Sequence, residues 1–265
     1  MRRTAIALVL LGACGSSEST KPTTKPPATE VVVAEPPRTG PAFDATRIEI
    51  VGASVSAGFG GLSFGDAFKE AVKPASTVDS VASSLLFRDP VGSSTKQIDR
   101  AIEHHATAVI AIDYLFWDLY GSTDPAWRDQ ALVSGLANLE RARAAGALIV
   151  VGDVPHVVTA AEWMLPRSQV PDAAVLATYN AQIAEWAARD HVLFVPFASW
   201  AAPLAANETI EIAPGERVEA KTLMASDGLH SNPLGTWYLL DKLDHFIEEK
   251  LPGTPRDALV FVRPR

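Results

Sequence analysis

The sequence predicts a doubly wound α/β domain, three layers (α/β/α) built on a mostly parallel sheet of about five strands. Three observations lead to that class. Short apolar runs of strand length alternate with longer segments of helical spacing. The middle runs are apolar throughout, as expected for parallel strands covered on both faces. With 265 residues, 48% of them hydrophobic, the chain can also bury a sizeable core.

Arg47 to Val51 (R-I-E-I-V) ends in glycine and reads as the first strand. Helical spacing follows over 63–72 and again over 94–104. Thr107 to Ile112 (T-A-V-I-A-I) is a buried strand, and 124–145 is a long Ala/Leu/Arg-rich helix stopped at Gly146. Ala147 to Val151 and Val192 to Pro196 supply two more strands on either side of a helix over 171–190. An amphipathic helix over 233–250 closes the domain. One stretch breaks the alternation: 209–224 switches between apolar and charged residues around Pro214-Gly215 and reads as a surface hairpin.

The N-terminus carries a different message. Arg2 and Arg3 precede an apolar run, Ala5 to Leu11. That run would span roughly 10 Å as a helix, against about 30 Å for a bilayer core, so it reads as an export signal rather than a span. It ends in Leu11-Gly12-Ala13-Cys14, similar to a bacterial lipobox, which makes residues 1–13 a lipoprotein signal peptide and Cys14 the acylated residue. Cys14 is the single cysteine, so no intramolecular disulfide forms. Residues 14–43 hold six prolines with several Ser and Thr, the composition of an extended tether. The domain is then 44–265. The expected location is the cell envelope, anchored to the bilayer through the acyl chains on Cys14, at the outer membrane or cell surface.

A formal net charge of −8 without Lys/Arg blocks excludes a phosphate-backbone partner, so no nucleic acid is expected.

Open parallel sheets place their sites at the carboxyl ends of the strands. The first strand runs into Val51-Gly52-Ala53-Ser54-Val55-Ser56-Ala57-Gly58. A serine in such a turn presents its hydroxyl at the sheet top and its N–H near a helix N-terminus, which suits a nucleophile that must generate and stabilise an oxyanion. The same string also fits a plain Gly/Ser turn. Before the last helix lies Ser226-Asp227-Gly228-Leu229-His230. An aspartate and a histidine three apart can sit side by side, the carboxylate holding one imidazole nitrogen while the other faces a serine. Alone, that pair also fits a capped helix start.

Taken together, these residues resemble the SGNH (GDSL-like) hydrolases, over about residues 47–250. Gly52-Ala53-Ser54-Val55-Ser56 matches the family's first block, G-D-S-x-S, with Ser54 as nucleophile. Val91-Gly92-Ser93-Ser94 is similar to the second block, which implies that Gly92 joins Ser54 in donating backbone N–H groups to the oxyanion. Asp227 and His230 match the fifth block, His230 as general base and Asp227 as its orienter. Two departures stand out. Ala53 replaces the aspartate that braces the nucleophile loop, and the third block, normally G-x-N-D, reads Asp113-Tyr114-Leu115-Phe116-Trp117-Asp118 without asparagine. Tyr114 and Leu115 are the positional equivalents of that missing oxyanion donor.

The resemblance implies ester hydrolysis through an acyl-enzyme, with no metal or organic cofactor and a small ester or acylated glycan as substrate. Acetyl transfer to or removal from an envelope polysaccharide is the alternative, and a catalytically impaired carbohydrate- or partner-binding domain is the third reading. His156, in the loop Gly152-Asp153-Val154-Pro155-His156, and Tyr114 and Trp117 are expected to touch substrate. His104 and His105 close a helix, where imidazoles cap rather than bind metal. Spacings typical of zinc sites are missing from the sequence.

Overall fold

The structure, a computed structural model, describes residues 39–264. The signal peptide, Cys14 and nearly all of the tether lie outside the described residues.

Five strands form one parallel sheet: β1 (Arg47–Ile50), β2 (Thr77–Ser80), β3 (Ala108–Ala111), β4 (Leu148–Gly152) and β5 (Val192–Val195). Their spatial order is β2-β1-β3-β4-β5. The chain builds outward from β1 to β2, then returns past β1 to continue with β3. The order therefore reverses between β1 and β3, and such a switch point opens a crevice at the carboxyl ends of those two strands. β6 (Thr209–Ala213) and β7 (Glu216–Glu219) form the expected antiparallel hairpin.

Alternation along β1 assigns the two faces. Ile48 and Ile50 point to one core, where α1 (Phe64–Ala71) contributes Phe64 and Phe68 and α7 (Pro233–Lys250) contributes Leu240, Leu243 and Ile247. Val109, Ile149 and Val151 face the other core, against α2 (Pro90–Glu103), α4 (Pro125–Ala144) and α5 (Ala173–Ala187). Two helices complete the set, α3 (Phe116–Tyr120) and α6 (Phe197–Ala206). The three-layer α/β/α arrangement matches the expectation.

Three helices start the same way. Asp89-Pro90, Asp124-Pro125 and Asn232-Pro233 each place an oxygen-bearing cap before a proline at the first helical position. Asp89 accepts the Gly92 N–H at 3.1 Å and Asn232 the Gly235 N–H at 3.0 Å. This cap extends α2 upstream of the expected 94–104 and takes Gly92 into its first turn. Phe43 is 4% exposed in the first core and its N–H donates to Thr254 Oγ1 at 2.8 Å. The domain thus reaches upstream of residue 44.

Candidate active site

The nucleophile turn follows β1. Gly52 has φ +140°, a conformation L side chains avoid, and a Cβ there would collide with the Asp113 carboxylate. Gln97 of α2 clamps the same glycine, accepting its N–H at 2.8 Å and donating to its carbonyl at 3.0 Å.

Asp113, just past β3, holds the rest of the turn. Its carboxylate accepts the N–H groups of Ala53 (3.0 Å), Val55 (2.8 Å) and Ser56 (3.2 Å), and the Ser56 hydroxyl at 2.6 Å. Burial pushes the Asp113 carboxyl up, against the pull of these donors. The brace that Ala53 cannot supply is therefore provided from across the switch point. Among the N–H groups of residues 53–56, only that of Ser54 has no partner among the described residues. It remains available to an incoming negative oxygen.

The histidine and aspartate arrive on one tight turn before α7. Gly228, φ +64°, approaches the Thr159 carbonyl so closely that a Cβ would clash with it. Asp227 Oδ1 accepts the N–H groups of Leu229 (2.9 Å) and His230 (3.0 Å), an Asx-type turn that aims the imidazole. His230 Nδ1 lies 2.7 Å from Asp227 Oδ2, and its Nε2 lies 2.8 Å from Ser54 Oγ. Burial works to raise the Asp227 carboxyl, but the His230 and Leu229 N–H groups and the imidazole outweigh it, and the net shift is downward. The Phe59 ring covers the imidazole with centroids 4.7 Å apart.

This trio opens into a cavity of about 540 Å³, within the roughly 300–1,000 Å³ of small-molecule sites. Ser54, His230 and Asp113 are among its lining residues. The walls are mostly apolar, with Phe116, Val157, Leu176 and Ala177 and a face of α6 bearing Ala198, Ala201 and Ala205, joined by the polar Asp153, Thr159 and Asn180.

The structure brings Ser54, Asp227 and His230 together and places His156 on the cavity wall. Other expected site residues lie elsewhere. Gly92 is absent from the wall, and its N–H is taken by Asp89, because the helix begins earlier than its spacing suggested. Val81 to Ser84, directly after β2, occupy the position beside the nucleophile turn, with the Ser83 N–H donating to the Gly52 carbonyl at 3.0 Å. Tyr114 is fully buried in the second core, its hydroxyl donating to the Ser94 carbonyl at 3.1 Å, and Leu115 is buried beside it. Trp117 packs against Phe87 and Phe116 outside the cavity. The chain turns into α3 at Phe116, so that ring, rather than Tyr114 or Trp117, faces the cavity. Asp113 and Gln97 were missed as positioning groups because their partners are distant in sequence. The Asp-Pro cap ahead of α2 was the one local signal against Gly92.

No family model matches the chain, and no curated protein matches it. Solved structures do. A GDSL-like lipase from Bacteroides thetaiotaomicron is 16% identical, with 80% of this chain and 93% of that chain covered and a TM-score of 0.50. A catalytic mutant of an acetylxylan esterase from Geobacillus stearothermophilus is 12% identical, over 77% of this chain and 94% of that chain, also at a TM-score of 0.50. At such identities the likeness speaks for the path of the backbone, and that path is the fold of the SGNH (GDSL-like) hydrolases.

Proposed function

We propose that the protein is an SGNH-type serine esterase of the cell envelope, exported and anchored through acylated Cys14. The observation that carries the catalytic part is the chain from Ser54 Oγ through His230 to Asp227, with links of 2.8 and 2.7 Å, beside a mostly apolar cavity. Fold alone would not support it, because one fold hosts many activities.

The chemistry follows from the geometry. Ser54 Oγ attacks the ester carbonyl carbon while His230 Nε2 takes its proton. Asp227 keeps the other imidazole proton on Nδ1 and stabilises the imidazolium. The carbonyl oxygen becomes an oxyanion held by the Ser54 N–H. When the intermediate collapses, the proton on Nε2 passes to the departing alcohol, leaving an acyl group on Ser54. Water, deprotonated by His230 in turn, releases the acid and regenerates the hydroxyl. These steps need no metal or organic cofactor.

The cavity walls favour a substrate whose acyl portion is hydrocarbon, since alanine and valine side chains offer little to a sugar's hydroxyls. With Gly92 turned away and no asparagine after β3, fewer oxyanion donors stand ready than the family pattern supplies. Loss of one such donor lowers kcat by about 10²–10³, so turnover is expected to be slow.

A fluorophosphonate probe tests the nucleophile: the intact protein is labelled and peptide mass spectrometry places the adduct on Ser54. Labelling at another serine, or none with folded protein, removes the catalytic reading. A palmitate analogue fed to expressing bacteria tests the anchor separately. It should tag the wild type and not Cys14→Ala.

A further inference from the structure

Beside the carboxyl end of α2, three side chains converge that the esterase chemistry does not use. Glu49 in β1 and Asp79 in β2 are direct partners in the parallel register, so their side chains project from the same face of the sheet. His104, the C-cap of α2, comes down beside them. Its Nδ1 lies 2.8 Å from Glu49 Oε2 and 3.6 Å from Asp79 Oδ2. One oxygen or ring nitrogen from each residue falls within 4.8 Å of the other two.

Glu49 is 1% exposed, and its Oε1 has no partner. A buried carboxylate is unfavourable unless its charge is matched and its lone pairs are filled. Here it stands opposite a second carboxylate, and like charges directly across a strand pair destabilise a sheet. One imidazole answers only part of two negative charges. The neighbouring cations are engaged elsewhere: Arg47 Nη1 donates to the His104 carbonyl at 3.0 Å, and Arg100 pairs with Glu103 at 3.3 Å. A divalent ion would neutralise both acids and, held by both oxygens of Glu49, would also satisfy the open Oε1. The donor set, one nitrogen and two carboxylates, is one that zinc accepts. Ligands of a tetrahedral zinc about 2.0 Å from each donor sit about 3.3 Å apart. The separations of 2.8 and 3.6 Å bracket that value. A hollow of about 310 Å³ lined by Glu49, Asp79, His104 and Glu103 leaves room for an ion and its water ligand.

We propose that Glu49, Asp79 and His104 form a binding site for a first-row divalent cation, with zinc the best match, that ties the edge strand β2 and the end of α2 to β1. The contrary expectation from sequence rested on local spacing, whereas these ligands come from three elements.

The test is zinc titration of the metal-stripped full chain. One equivalent binds by calorimetry, and saturating zinc raises Tm by about 5 °C through preferential binding to the folded state. Asp79 is half exposed and supports no core packing, so Asp79→Asn keeps the fold and loses the shift, as does His104→Gln. Cobalt in place of zinc gives a visible spectrum with no thiolate charge-transfer band. A shift of equal size in both variants, no shift in the wild type, or a thiolate band assigning the metal to Cys14 each overturns the site.

Discussion

The carboxylate of Asp113 accepts the Ser56 hydroxyl at 2.6 Å, and the same carboxylate takes three backbone N–H groups of the turn that presents Ser54. All four donors point at an acceptor. In Asp113→Asn the amide NH₂ would have to face N–H groups, which pushes the turn out of place. A displacement of about 1 Å at a reacting group costs about 10²-fold in rate. Steady-state kinetics on p-nitrophenyl esters should therefore show kcat down about a hundredfold with KM little changed. A kcat within a factor of about two would mean that Asp113 does not position Ser54.

Ser54→Ala and His230→Ala are each expected to abolish ester hydrolysis while leaving the thermal midpoint close to wild type. Because the members of a triad act as a unit, the double variant should be no slower than either single. Additive losses would point to two independent contributions and a different mechanism.

Ser56 lies two residues from the nucleophile, so it is the obvious rival. It is fully buried and its hydroxyl is committed to Asp113. Ser56→Ala should still accept the fluorophosphonate at Ser54, yet lose roughly 1–3 kcal/mol in urea denaturation, since a buried acceptor loses its hydroxyl donor. Loss of labelling with unchanged stability would reverse the two roles.

What the sequence made legible, and what it hid, follows burial and distance. β3 could be read because Ala-Val-Ile-Ala is buried on both faces. β2 (T-V-D-S) escaped notice because it is an edge strand with one buried residue, Val78. Asp227 and His230 were visible as a pair since both sit on one short turn. The work of Asp113 was hidden, its partners lying 57 to 60 positions away.

Asp118 of α3 is 1% exposed and neither carboxylate oxygen has a partner. Burial holds its carboxyl well above the usual carboxylate range. In acid, both folded and unfolded chains carry it protonated. As pH rises, the unfolded chain ionises first, so this residue's contribution to stability is lost as pH climbs towards the folded-state value. Asp118→Asn removes that dependence. As pH rises above the ordinary carboxylate range, the wild type should lose stability relative to the variant. Parallel curves in chemical denaturation would show that Asp118 ionises freely in the folded protein.

Ala201 sits on the cavity face of α6. Ala201→Phe should occupy hydrocarbon space without touching the triad. Across a series of p-nitrophenyl esters from acetate to decanoate, kcat/KM for the longest chains should fall about tenfold or more, roughly 1–3 kcal/mol of lost pocket contacts, while acetate is spared. An equal drop for every length would place the acyl chain elsewhere.

Ser54 and His230 are separated by 176 positions, with the first strand at one end of that loop and the last helix at the other. Contacts of such long range form only after the intervening elements have assembled, since loop closure must be offset by everything packed between. Return of turnover during refolding should accordingly lag the return of helical signal. The serine would stay inert until α7 docks and completes the proposed triad.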